Sequence, residues 1–235
     1  MSIYLYIITF ILGACIASFL NVIAYDLPIG ANWLTRSSAC PHCHTAIPPT
    51  QLIPICSYLC QKGRCHNCDT KISPLYLLTE LLGGFLFTLP LLLPNDFSLL
   101  QLVHTWIFSS LLIIITLTDI YHGLIPNKIL VTFGIVFLLM KPHIFSAVVG
   151  FSLFFIAAWF GKQLFKKETL GAGDIKCYFV IGLAVPLNVL LLSIILSCFL
   201  ALLYLLLIVK DKHAPIPFAP FIALGVMVIM MISSI

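Results

Sequence analysis

The sequence predicts an all-α, polytopic membrane protein of about eight transmembrane helices, with one small soluble domain between the first and second. Three observations predict it. Of 235 residues, 61% are hydrophobic and only 9% are charged, against about 25% charged in an ordinary soluble domain. The mean hydropathy of +1.14 leaves too little polar surface to clothe a water-soluble globule of this size. The apolar residues also fall into runs near the ~20 residues that a spanning helix needs. The net charge of +4 is small, and the basic residues sit singly at the ends of apolar runs. No nucleic-acid partner is expected, and lipid is.

The first run, residues 3–25, has no positively charged leader. Although Gly13-Ala14 before Cys15 imitates a processing site, it reads as a retained helix. Seven further runs follow at 75–93, 99–118, 124–140, 144–161, 175–187, 189–209 and 214–235. The fourth and sixth helices are shorter than a full span, which permits a partly re-entrant geometry. Three regions result: a first transmembrane helix (1–25), a soluble cysteine-rich segment (26–74), and a seven-helix membrane domain (75–235).

Lys and Arg collect in cytoplasmic loops and so orient the chain. With the amino terminus outside, Arg36, Lys62, Arg64, Lys71, Lys128, Lys162, Lys166, Lys167, Lys176, Lys210 and Lys212 lie on the cytoplasmic side, and Lys141 alone lies outside. Segment 26–74 is then cytoplasmic, and it is too short to build a large hydrophobic core.

That segment holds Cys40-Pro-His-Cys43 and Cys65-His-Asn-Cys68, with twenty-one residues between the pairs. Four thiolates at this spacing close a tetrahedral structural zinc site, which orders a loop lacking apolar mass. A reducing cytoplasm disfavours disulfides, and a redox C-x-x-C wants a βαβ context that is absent. Cys56 and Cys60 lie between the knuckles, and His42, His44 and His66 lie within or beside them, so spacing alone leaves the ligand set open. The plainer expectation is that these two cysteines are small buried residues and the histidines solvated. Cys15, Cys177 and Cys198 sit in apolar runs and read as packing residues.

The chain has only eight acids. Asp26, Asp69, Asp96, Glu168 and Asp211 fall in loops or at span ends. Asp119 ends the third run, in Leu117-Thr118-Asp119-Ile120-Tyr121, and Asp174 opens the sixth, in Gly171-Ala172-Gly173-Asp174-Ile175-Lys176; both are at the cytoplasmic edge. A carboxylate at membrane depth is costly and faces a bundle interior or a water-filled cavity. Two that share a site hold one proton between them, the state an aspartic protease uses to activate water. Gly171 and Gly173 let a backbone approach closely. The structural reading is that each aspartate caps a helix. Asp174 would make a good N-cap, whereas Asp119 at a C-terminus opposes the helix dipole.

Taken together, several segments resemble the type IV prepilin peptidase family, the bifunctional leader peptidases and N-methyltransferases of pilus and type II secretion systems. They are Ser18-Phe19-Leu20-Asn21-Val22 with Leu27-Pro28, the two cysteine pairs, Ile53-Pro54 with Ser57-Tyr58-Leu59 and Gly63-Arg64-Cys65, and Tyr76 with Glu80-Leu81. Asp119 with Leu124-Ile125-Pro126, Gly171 to Lys176, and Pro217-Phe218-Ala219-Pro220 complete the series. The resemblance implies that Asp119 and Asp174 are the catalytic pair of an intramembrane aspartic protease, and that Cys40, Cys43, Cys65 and Cys68 hold the metal. It further implies cleavage of a short basic leader from prepilins or pseudopilins at the cytoplasmic face of the bacterial inner membrane. S-adenosylmethionine-dependent methylation of the new amino terminus would follow, with no residue assigned to that cofactor. Glu80 and Lys176 are auxiliary candidates, Glu80 reading more readily as half of a structural ion pair. The pattern departs at Asp26, Asn127 and Ala219, where the family more often has arginine, aspartate and glycine. Two other functions compete: a proton- or ion-coupled transporter using the aspartates as relays, and a non-catalytic pilus assembly scaffold.

Overall fold

The computed structural model describes residues 3–31, 38–40, 42–93, 98–166, 170–208 and 216–233. Arg36, Asp96, Lys167, Glu168, Lys210, Asp211 and Lys212, used above as charge markers, lie outside the described residues. The long elements are all helical: α1 (Ile3–Asp26), the short α2 (Cys56–Cys60), α3 (Pro74–Leu92), α4 (Leu99–His122), α5 (Asn127–Leu139), α6 (Ile144–Phe165), α7 (Ala172–Ala184), α8 (Leu187–Leu207) and α9 (Ala219–Ser233). Each of the eight apolar runs is a helix, and α2 within the soluble segment is an addition.

Five of these helices, α1, α3, α4, α6 (over Ile144–Leu164) and α8, are long and apolar enough to cross a membrane. The others are shorter for visible reasons. Pro126 stands just before α5, which starts where a proline's fixed φ permits and not in the middle of an apolar run. The sixth run begins at Ala172 instead of residue 175 and stops at Ala184, ahead of Pro186. The third run continues one turn further, to His122, so that Asp119 lies inside a helix. The last helix begins at Ala219, not 214.

The chain forms two compact units, Met1–Ile114 and Ile115–Ile235. In the first, α1 lies against α3 with almost no side chain between them. A methyl group on Gly13 would strike the Gly83 carbonyl, and one on Gly84 would strike the Phe10 ring. Small residues allow this backbone approach, the usual basis of helix association in lipid. Buried inside the same seam, the Asn21 amide donates to Thr79 Oγ1 at 3.0 Å. Ser73 and Pro74 start α3, the Ser73 hydroxyl accepting from the Leu75 N–H. Trp106 of α4 stacks on Phe87 and donates its indole N–H to the Phe87 carbonyl at 2.9 Å. Asp26, at the end of the first run, is the buried last residue of α1.

The second unit is built around α7, whose residues Cys177 to Ala184, Phe179 excepted, are buried. A short helix apolar on all sides belongs in a core. Gly182 admits the Ala147 backbone of α6, Tyr178 stacks on Phe154 at 3.9 Å, and Gly134 of α5 faces Val180. Gly225 of α9 is seated against Ser193 and Ser197 of α8.

Candidate active site and metal centre

Asp119 is in the last turn of α4. Gly123, at φ +63, ends that helix with its N–H on the Asp119 carbonyl, the left-handed C-terminal geometry that glycine adopts without strain. The chain then passes through Leu124-Ile125-Pro126 into α5. A carboxylate at a helix C-terminus meets the negative end of the dipole, and the structure supplies a compensating positive one. Asp119 Oδ2 accepts the Ala219 N–H at 2.8 Å, and the Phe218 N–H also bonds this carboxylate. These donors are the head of α9, where backbone N–H groups gather to receive an anion.

Asp174 is the third residue of α7. The N-cap is Gly171, so the capping expectation for Asp174 is corrected. Its carboxylate instead reaches back to the Gly171 N–H, half of a capping box. A side chain on Gly171 would come within 3.1 Å of Asp174 Oδ2, so this glycine leaves the carboxylate its room. Gly173 rests on Ile125, its missing Cβ lying 3.4 Å from that of Ile125. The loop leaving Asp119 is therefore packed on the glycine preceding Asp174. The two carboxylates are close enough that the charge of Asp119 acts on Asp174, and both act on the buried Cys177 one turn further along α7.

The auxiliary candidates do other things. Lys176 Nζ donates to Asn127 Oδ1 at 3.0 Å, joining α7 to the first residue of α5. Glu80 is 7% exposed, and its Oε2 accepts the Ile55 N–H at 2.7 Å. The partner is thus a backbone amide of the soluble segment, where an ion pair was expected.

Cys40, Cys43, Cys65 and Cys68 converge, all four Sγ atoms lying within 4.8 Å of one another. The Cys40–Cys68 and Cys43–Cys65 separations are 3.8 and 4.0 Å. Four sulfurs about 2.3 Å from a tetrahedral zinc are about 3.8 Å apart, while a disulfide would need about 2.05 Å. The donor set therefore fits a metal. Hydrogen bonds from the Thr45 hydroxyl and N–H, and from the Asn67 amide, pull the Cys43 thiol down to about 5. The N–H groups of Cys68 and Asn67 pull Cys65 down as well. At Cys40 the N–H groups of Cys43 and His42 act the same way, but burial and the neighbouring thiols outweigh them and the net shift is upward. Cys56 and Cys60 lie outside this cluster and are exposed, so their buried reading is corrected; of the three read as packing residues, Cys177 is buried and Cys15 and Cys198 are exposed.

The two knuckles are structural copies offset by twenty-five residues. Cys40 N–H bonds Thr45 O as Cys65 N–H bonds Thr70 O, and His44 N–H bonds Cys40 O as Asp69 N–H bonds Cys65 O. The bridges Ala39–Ala46 and Arg64–Lys71 correspond. His44 and Asp69 share a positive φ, 54° and 56°. The signal was present in the sequence as Cys-x2-Cys-x-Thr-x-Ile at 40–47 and again at 65–72. The donors on Asp119 fall in Pro217-Phe218-Ala219-Pro220, one of the segments singled out in the sequence, but as backbone donors they gave no sign of which carboxylate they meet.

Fold and site together define a polytopic helical membrane protein with a four-cysteine centre and two aspartates gathered in one unit. Residues 11–93 match the model of the bacterial peptidase A24 N-terminal domain, and residues 106–206 match that of the type IV leader peptidase family. The chain is 34% identical to a prepilin leader peptidase/N-methyltransferase of Bacillus subtilis, over 93% of this chain and 90% of the relative. It is 30% identical to the protein of that name from Aeromonas hydrophila, over 93% and 87%. It is 31% identical to a type 4 prepilin-like proteins leader peptide-processing enzyme of Escherichia coli, over 91% and 88%. No solved structure matches. The chain belongs to the type IV leader peptidase family.

Proposed function

We propose that this protein is an intramembrane aspartic endopeptidase that removes the short basic leader of type IV prepilins or type II secretion pseudopilins, and then methylates the new amino terminus. The observation that carries this reading is that Asp119 and Asp174, fifty-five residues apart in the chain, lie near enough for the charge of one to act on the other, within the region matched by the leader peptidase model. The relatives' names favour it over a transporter or a scaffold.

The substrate is an apolar helix lying in the bilayer with its basic leader at the cytoplasmic surface. Its backbone carbonyls are engaged until it unwinds locally at the leader junction, where a glycine eases the change. The head of α9 aims two N–H groups at Asp119, so a negative charge is best accommodated there. Asp119 then acts as the base that takes a proton from water, and Asp174 carries the proton given to the leaving amine. The hydrated diol sits between them, and the shared proton belongs to the pair.

Cys40, Cys43, Cys65 and Cys68 hold a structural zinc, which supplies cross-linking energy to a segment without a core. S-adenosylmethionine supplies the methyl group by family resemblance, and no residue of this chain is assigned to it. The protein works in the bacterial inner membrane with its amino terminus outside and the aspartates facing the cytoplasm. The test is purified protein in liposomes with a prepilin, the product read by mass spectrometry for leader loss and a methyl increment. Intact prepilin after long incubation rejects the reading.

A further inference from the structure

Glu80 is a buried carboxylate in the apolar helix α3, and such a group needs a partner strong enough to offset its lost hydration. That partner is a backbone site under strain. Ile55 has φ 64° and ψ −55°, and the N–H of Cys56 bonds the carbonyl of Pro54 at 2.6 Å. This is the positive-φ γ-turn, the rare and strained form, with a β-branched residue at its centre. A strained backbone persists only where its surroundings hold it, and what holds Ile55 is the 2.7 Å charge-assisted bond from its N–H to Glu80.

The turn leads directly to the metal centre. It opens α2, where Tyr58 accepts the Gly63 N–H and donates its hydroxyl to the Ile72 carbonyl, the two residues that frame the second cysteine knuckle. We infer that Glu80 is a positioning residue: through Ile55 it pins the metal-binding segment to membrane helix α3 in the register that prepilin processing requires. This rests on the processing activity proposed above. What matters is a strong acceptor opposite a strained amide. Glutamine, which keeps a carbonyl acceptor, therefore recovers most of the function that an apolar residue loses, and glycine at position 55 removes the need for the acceptor.

The test uses the full-length protein in liposomes, with cleavage and methylation rates, bound zinc and hydrogen exchange at the Ile55 amide. Glu80→Leu lowers at least one of the two rates by about 10- to 100-fold, the loss of a hydrogen bond to a charged group, while zinc content stays at the wild-type level and the Ile55 amide loses protection. Glu80→Gln recovers most of that loss, and so does Glu80→Leu combined with Ile55→Gly. Wild-type rates in Glu80→Leu, a glutamine variant as impaired as leucine, or no rescue by Ile55→Gly, including failure of both leucine variants to accumulate, each overturn the inference. If the wild-type protein processes no prepilin, the functional reading fails separately, and the pinning role still stands or falls on amide exchange.

Discussion

In the proposed mechanism the chemistry turns on the two carboxylates, and they differ in what surrounds them. Asp119 receives donors from the head of another helix, whereas Asp174 receives one from its own turn. Replacing either with asparagine keeps shape and hydrogen-bonding capacity but removes the proton exchange, so Asp119→Asn and Asp174→Asn each reduce prepilin cleavage by about 10²- to 10⁴-fold. Mature product on a time course measures this, with unchanged elution in detergent as the control for folding. The cysteine centre behaves differently. Cys40→Ser with Cys43→Ser abolishes the bound metal, about one ion per chain by elemental analysis. Thiolates bind metal and thiols do not, so protons compete and occupancy falls as pH drops. The two aspartates stood out in the sequence because the chain has only eight acids, so any beside an apolar run needs an account. The roles of Glu80 and Lys176 were not legible, since their partners are an amide N–H and a neutral side chain from remote segments.

Among the helices, α7 gathers the most constraint. It is thirteen residues long, about 20 Å against a hydrocarbon core of about 30 Å. A helix too short to cross leaves non-helical backbone at membrane depth, which is tolerated where it is buried in protein or lines a water-filled space. The proposed hydrolysis needs water beside Asp174, and Gly171 and Ala172 just before it are exposed. Close packing fixes α7 in place. A Gly182→Ala methyl would lie 2.6 Å from the Ala147 Cα, backbone that cannot move aside. That variant loses about 1–3 kcal/mol, seen as a lower midpoint in thermal unfolding in detergent. Helix existence was legible at every apolar run because composition alone sets it. Helix ends were not. The extra turn carrying Asp119 to His122, and the early start at Ala172, depend on a glycine cap and on packing against Ile125, which hydropathy does not register.

For the whole molecule, orientation in the membrane decides whether the chemistry meets its substrate. On the proposed orientation, with the amino terminus outside, a reporter active only beyond the membrane is silent when fused near residue 50 and active near Lys141; the reverse pattern inverts the protein and separates the aspartates from a cytoplasmic leader. The family was legible across the chain because its motifs keep their order over nearly its full length. The number of true crossings was less so, since α5, α7 and α9 are shorter than the helices that meet the length of a span. The duplicated knuckles carry one last consequence. Each half brings two sulfurs to the same point, and Asn67 of one bonds Thr45 of the other at 2.9 Å. Neither half can keep a half-strength grip on an ion. Chelation should therefore unravel residues 38–47 and 63–72 in a single all-or-none step, with one midpoint for both, and never one half ahead of its twin.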